Sequence, residues 1–154
     1  MSKKRKILEQ PHGFYQSGAT CWAYALASWT WATYDRICFP IEFFTKYTNG
    51  EERGVSGTEG RYVLDQEGLT YTEFEPGKLN VEKIFDLIND RSRYIYWVLY
   101  KPGISHCVVI YGVEVTGEFS GLLSIMDPFK PNNQFKEVYV PDQADYPGLI
   151  AWKN

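Results

Sequence analysis

The sequence predicts an α+β domain in which an N-terminal helical half, built on a buried central helix, packs against a C-terminal antiparallel sheet. Three observations lead there. Apolar residues recur at helical spacing through the first half of the chain, and β-branched or alternating runs fill the second. The length, 154 residues with 44% hydrophobic content, suits one compact core and is short for two. Residues 1–154 are therefore read as a single domain, with 1–9 expected as a flexible basic tail around Lys3-Lys4-Arg5-Lys6.

Each element has its own signal. From about Thr20 to Tyr34, the residues Trp22, Ala25, Leu26, Trp29 and Ala32 fall at helical spacing with small residues between them. A segment apolar nearly all round predicts a buried helix, and Thr20 as N-cap puts Cys21 in its first turn. A second helix is expected over Ile41 to Tyr47, ending before Asn49-Gly50. After a Gly-rich loop, Gly50 to Gly57, comes a helix from Thr58 to Gln66 that Gly68 stops. Asn80 caps another, with Val81, Ile84, Phe85 and Ile88 on one face. Beyond Arg93 the pattern changes to strand: Tyr94 to Tyr100, Cys107 to Val115, Leu122 to Met126, Gln134 to Val140 and Leu149 to Trp152. A cleft between the two halves is the natural place for a site.

Composition excludes several functions. A net charge of −3 argues against a surface that coats nucleic acid, and no segment has the length of a membrane span. Ile7-Leu8-Glu9-Gln10-Pro11, which follows the basic start, lacks the apolar core of a signal peptide. Three cysteines are too few for a disulfide framework, so a cytoplasmic protein is expected; export without a cleavable signal is compatible with the same features. Cys21, Cys38, Cys107, His12 and His106 show no paired metal-ligand spacing, and Gly54 to Gly60 lacks the Lys-Ser/Thr of a phosphate loop. No metal and no cofactor are expected. The 12 Tyr, 9 Phe and 5 Trp suit either a dense core or a groove for an extended peptide.

The chemistry centres on Cys21. A thiol attacks as its thiolate, and the unpaired amides of a helix start lower its pKa. The Cys21 amide and the Gln16 side chain, five residues upstream, are candidate donors to an oxyanion. Such a nucleophile needs a base and a group to orient it. His106 stands just before one strand and Asp127 at the end of the next, so neighbouring antiparallel strands would bring the two together. Cys107 neighbours His106 and should face the opposite side of its strand, and Cys38 is read as packing. His12 lies in a Pro-His-Gly turn and is expected to be exposed. Trp22, Trp29 and Trp31 are read as core, with Trp22 beside the cleft, and Gln10 is the substitute for Gln16.

Three segments together resemble a family. Gln16-Ser17-Gly18-Ala19-Thr20-Cys21-Trp22-Ala23-Tyr24 is similar to the nucleophile segment of papain-like cysteine peptidases, where a glutamine precedes a Cys-Trp-Ala-aromatic run. Ser105 to Val113 is similar to that family's His strand. Met126-Asp127-Pro128-Phe129 resembles the Asp-Pro pattern of its compact bacterial branch, which includes peptidase domains of bacteriocin-processing exporters and plant-pathogen effectors. The segments stand in the family's order, Gln, Cys, His, Asp, over about 10–129. Plant papains instead carry Asn as the third residue and another Cys shortly before the nucleophile. They also have one more residue between Gln and Cys. The resemblance implies a papain-like fold, peptide-bond hydrolysis through a thioester acyl-enzyme, a protein or peptide substrate, and an effector or toxin setting. A deamidase, transglutaminase or peptidoglycan amidase would use the same Cys-His-Asp set, and a non-catalytic peptide-binding module would keep the same scaffold.

Overall fold

The computed structural model of the chain describes residues 4–16, 18–102, 104–129, 134–141 and 146–154. Their elements follow in the order β1 (Arg5–Ile7), α1 (Cys21–Tyr34), α2 (Ile41–Tyr47), α3 (Gly57–Gln66), β2 (Leu69–Phe74), α4 (Val81–Arg91), β3 (Ile95–Lys101), β4 (Ile104–Gly117), β5 (Ser120–Met126), β6 (Phe135–Val140) and β7 (Gly148–Lys153). The strands form one antiparallel sheet in the order β2-β7-β3-β4-β5-β6, and β1 joins β4. The α+β architecture expected from the sequence is the one observed.

Two details differ from the expected separation of halves. Arg5–Ile7, within the segment expected to be a tail, pair with Glu114 to Gly112, along the β4 edge that β3 leaves after Ile110. The second is β2, an edge strand contributed by the helical half and paired along its whole length with β7. Leu69-Thr70-Tyr71-Thr72 does alternate, but six residues directly after a helix carry little signal of their own. The sheet is also covered on both faces. Tyr96, Val98, Cys107 and Val109 face the cluster around α1, α2 and α3, whereas Trp97, Leu99, Val108 and Ile110 face α4 through Ile84 and Ile88. Alternation along each strand makes this division.

Helix α1 is fixed by burial. Leu26 and Trp29 have no exposed surface, and α2 adds the equally buried Phe44. An indole bond and a phenol bond tie α1 to β3 and the residue before it: Trp29 Nε1 donates to the Tyr94 carbonyl (2.9 Å), and Tyr96 Oη donates to the Trp22 carbonyl (3.0 Å). Ser28 Oγ donates to the His12 carbonyl (2.6 Å), which straps the N-terminal segment across the helix. The first turn of α1 is thereby held against the middle of the sheet.

Candidate active site

Strand β4 is longer than its partner on one side. Its pairing with β5 starts at Val109, opposite Met126, while its pairing with β3 continues down to Ile104. Between Ser105 and Cys107 the β5-side edge is therefore open, and the first turn of α1 fills it. The Cys21 Sγ lies 3.4 Å from the Ser105 carbonyl, and the Cys107 backbone N–H also reaches it. The sulfur docks where a neighbouring strand would otherwise pair. From that edge it meets side chains of both sheet faces, His106 and Cys107.

The turn at Gly18, with φ +67°, brings the chain from Gln16 back to the helix start; this is left-handed backbone that favours glycine. Thr20 stands at the N-cap as expected but makes no side-chain cap bond, and the first turn of α1 has no acidic residue. No carboxylate of the helix itself therefore opposes a negative sulfur. On the other side, the loop at Gly54 packs so closely that a Cβ there would stand 3.0 Å from the Ala19 carbonyl.

His106 Nε2 lies 2.9 Å from Asp127 Oδ1, and with that nitrogen engaged, Nδ1 is the one left for Cys21. Asp127 is 5% exposed, and every side of its carboxylate is occupied. Oδ1 also accepts the Phe129 N–H (3.0 Å), and Oδ2 receives Lys136 Nζ (3.0 Å). The Asp127 N–H donates to the Gln134 carbonyl, at 2.6 Å. Phe129 turns its ring edge-on to the His106 ring at a centroid distance of 6.0 Å.

These contacts set the charges. The Cys21 thiol is lowered to about 5, first by the hydrogen bond with the Cys107 thiol, against burial, and then by His106. Burial works against the His106 imidazolium, but Asp127 and Cys21 outweigh it and raise His106 to about 9. Burial likewise disfavours the Asp127 carboxylate, yet His106, the Phe129 amide and Lys136 hold it down at about 2. Cys107 is raised well above the thiol range, first by its bond to Cys21 and then by burial. Of the two hydrogen-bonded thiols, Cys21 takes the charge because it alone also has the imidazolium beside it. Thiolate and imidazolium then coexist from about pH 5 to about pH 9.

Gln16 is 7% exposed and reaches the same place. Its backbone N–H donates to the Pro128 carbonyl (2.8 Å), which pins the loop before Cys21 to the turn after Asp127. Its Nε2 donates to the Gly18 carbonyl (2.7 Å), and its Oε1 is buried with no partner among the described residues. Gln10, the substitute, contacts Tyr111 Oη at 3.4 Å and lines two other cavities. His12 is exposed and stacks on Trp31 at 4.0 Å. Cys38 is buried and hydrogen-bonds Glu42, away from the site.

Cys21 stands between two cavities. One, of about 280 Å³, is lined by Gln16, His106, Asp127, Lys101 and Lys136 over a floor that includes Leu99 and Val108. The other, of about 220 Å³, lies towards α3 and is mainly apolar, with Trp22, Val55, Leu64, Val98 and Leu149 in its wall. Among the described residues, no group of three or more His, Cys, Asp and Glu is arranged to hold a metal ion, and no helix is long and apolar enough to cross a membrane.

Two participants were not anticipated from the sequence. Cys107 faces the α1 core, as alternation requires, yet its thiol meets Cys21 because Cys21 approaches along the strand edge. Lys136 reaches Asp127 through the β5–β6 register, in which Ile125 opposes Lys136. The alternating pattern of Gln134 to Val140 marks the strand, but no local signal specifies which residue it opposes.

Comparison with known proteins bears on the fold and the family. No curated protein matches the chain. The peptidase domain of Streptococcus ComA, a bi-functional ABC transporter involved in a quorum sensing pathway, is similar in fold at 14% sequence identity, with a TM-score of 0.59 over 95% of this chain and 100% of that one. A family profile, papain-like cysteine protease AvrRpt2, matches residues 4–140. A match over that much of the chain makes this protein a member of the papain-like AvrRpt2 family and a cysteine peptidase.

Proposed function

We propose that the protein hydrolyses peptide bonds through a thioester acyl-enzyme, with Cys21 as nucleophile, His106 as acid and base, and Asp127 as the group that orients His106. The observation that carries this reading is that Cys21, His106 and Asp127 line one cavity, with His106 Nε2 2.9 Å from the buried Asp127 Oδ1 and Cys21 near enough to His106 for each to shift the other's pKa. The Cys21 thiolate attacks the scissile carbonyl, and the Cys21 N–H with the second Gln16 amide hydrogen receives the oxyanion. His106 then passes its proton to the leaving amine, and the C–N bond breaks. Neutral His106 next takes a proton from water, whose oxygen attacks the thioester and releases the acid. His106 opens into the 280 Å³ cavity, so the leaving segment lies there and the acyl segment lies in the apolar cavity beyond Cys21.

Cys21→Ala tests the assignment. Peptide hydrolysis should fall by at least about 10³-fold while the fold persists, since only the sulfur is removed. Equal turnover by wild type and variant on a peptide library would overturn it. Intact-mass analysis of target proteins distinguishes hydrolysis, seen as fragments, from deamidation or acyl transfer at the same site. The bacterial effector setting belongs to this reading too. Its support is the family resemblance, and its test is a set of new protein N-termini in recipient cells that the Cys21→Ala variant fails to produce.

A further inference from the structure

Lys136 has no part in the acyl-transfer steps above, yet it holds one of the two oxygens of the triad carboxylate. Asp127 Oδ1 is used by His106 and the Phe129 N–H, and Oδ2 is left for Lys136 Nζ at 3.0 Å. The Asp127 side chain is 7% exposed, so water does little to stand in for its partners, while that of Lys136 is 29% exposed. Lys136 comes from β6, a strand that carries neither His106 nor Cys21, and its register against β5 places it there. An ordinary strand-edge lysine extends into solvent; this one turns in to the cavity that also contains His106.

We infer that Lys136 is a positioning residue of the active site, sharing the Asp127 carboxylate with His106 so that His106 stays acidic enough to give its proton to the leaving amine. This rests on the catalytic reading of Cys21, His106 and Asp127. A buried carboxylate committed to the imidazolium alone would hold the proton more tightly, and a weaker general acid gives a slower step. Among the described residues, the charged and titratable groups around His106 come from four elements and the turn after β5. Cys21 comes from α1 with Cys107 behind it, Asp127 follows β5, Lys136 comes from β6, and Lys101 from β3 lines the same cavity. Removing Lys136 takes away a positive charge and leaves Asp127 Oδ2 buried without its cation. Both changes push the His106 proton affinity upward.

The experiment is nitrogen-detected NMR titration of the imidazoles in the full chain, which has only His12 and His106 to assign. In Lys136→Met the His106 titration should move up by about one pH unit, and in Lys136→Arg it should return towards wild type. Lys136→Gln keeps a donor for Oδ2 without the charge; it should also move up, and it decides the matter if the Met variant does not fold. On a peptide substrate, kcat should fall in the Met and Gln variants with KM nearly unchanged. A His106 titration that is unmoved or moves down in a folded Gln or Met variant would overturn the inference, leaving Lys136 as a tie for β6. The titration needs no turnover, so an inactive wild type would count against the catalytic reading without deciding the role of Lys136.

Discussion

Helices α1 and α4 cover opposite faces of one sheet, and they are held in place by opposite means. In α4, Asn80 Oδ1 accepts the Lys83 N–H at 2.9 Å, Glu82 stands in the first turn and Arg91 in the last, so both ends of the helix dipole are matched. Only three of its 11 residues are buried, and these form the single stripe that meets the sheet. Nine of the 14 residues of α1 are buried, while its ends have no side-chain cap bond, no acid in the first turn and no base in the last. Local chemistry stabilises α4, and tertiary burial stabilises α1. The contrast bears on function. In the proposed mechanism, a helix with no carboxylate at its start leaves its first amides and the Cys21 thiol to face the substrate.

The comparison can be broken first at its chemical end. Cys21→Ala should remove at least about 10³-fold of peptide hydrolysis with little change in melting temperature, because α1 is held by its other buried residues. Kinetics together with thermal melting check this. Loss of the fold instead would mean that the thiol is a packing residue. Trp29→Ala attacks what holds α1. The side chain has no exposed surface and its Nε1 bonds the Tyr94 carbonyl, so unfolding in denaturant should show a loss of about 3–5 kcal/mol.

The charged pair at the start of α1 gives the third test. Cys21 is lowered to about 5, so its thiolate is populated above that pH; His106 is raised to about 9, so its imidazolium persists below that one. Hydrolysis should then rise through about pH 5 and fall through about pH 9, and iodoacetamide should alkylate Cys21 already at pH 6. A thiol that reacts only above pH 8 would show that no ion pair exists. The smallest effect belongs to α4. Asn80→Ala should cost about 1 kcal/mol of stability and leave kcat unchanged, a change read from denaturant midpoints.

Much of this arrangement was legible in the sequence, for reasons that differ by element. Asn80 and the Ile84, Ile88 stripe announced α4 because caps and periodicity act within a few residues. Trp22 to Ala32 announced α1 because a helix buried all round needs apolar residues all round. The short strands β1 and β2 escaped notice because their pairing partners, Glu114 to Gly112 and Lys153 to Gly148, lie far along the chain. Alternation assigns Cys107 its face correctly but does not reveal that another residue will arrive at the strand edge. Lys136 gave no signal at all, since a lysine on an alternating strand looks the same whether it meets water or a carboxylate.

By itself, then, the sequence determined the kinds of element, their order, and the succession Gln16, Cys21, His106, Asp127. Those depend on propensity, periodicity and local spacing. The tertiary structure alone decided where β5 stops pairing with β4, and so where the open edge lies that receives Cys21. It also decided that Lys136 opposes Ile125, and so reaches Asp127. Both are matters of strand register. A slip of one residue would turn every side chain to the other face, and register is specified by packing between segments far apart in the chain.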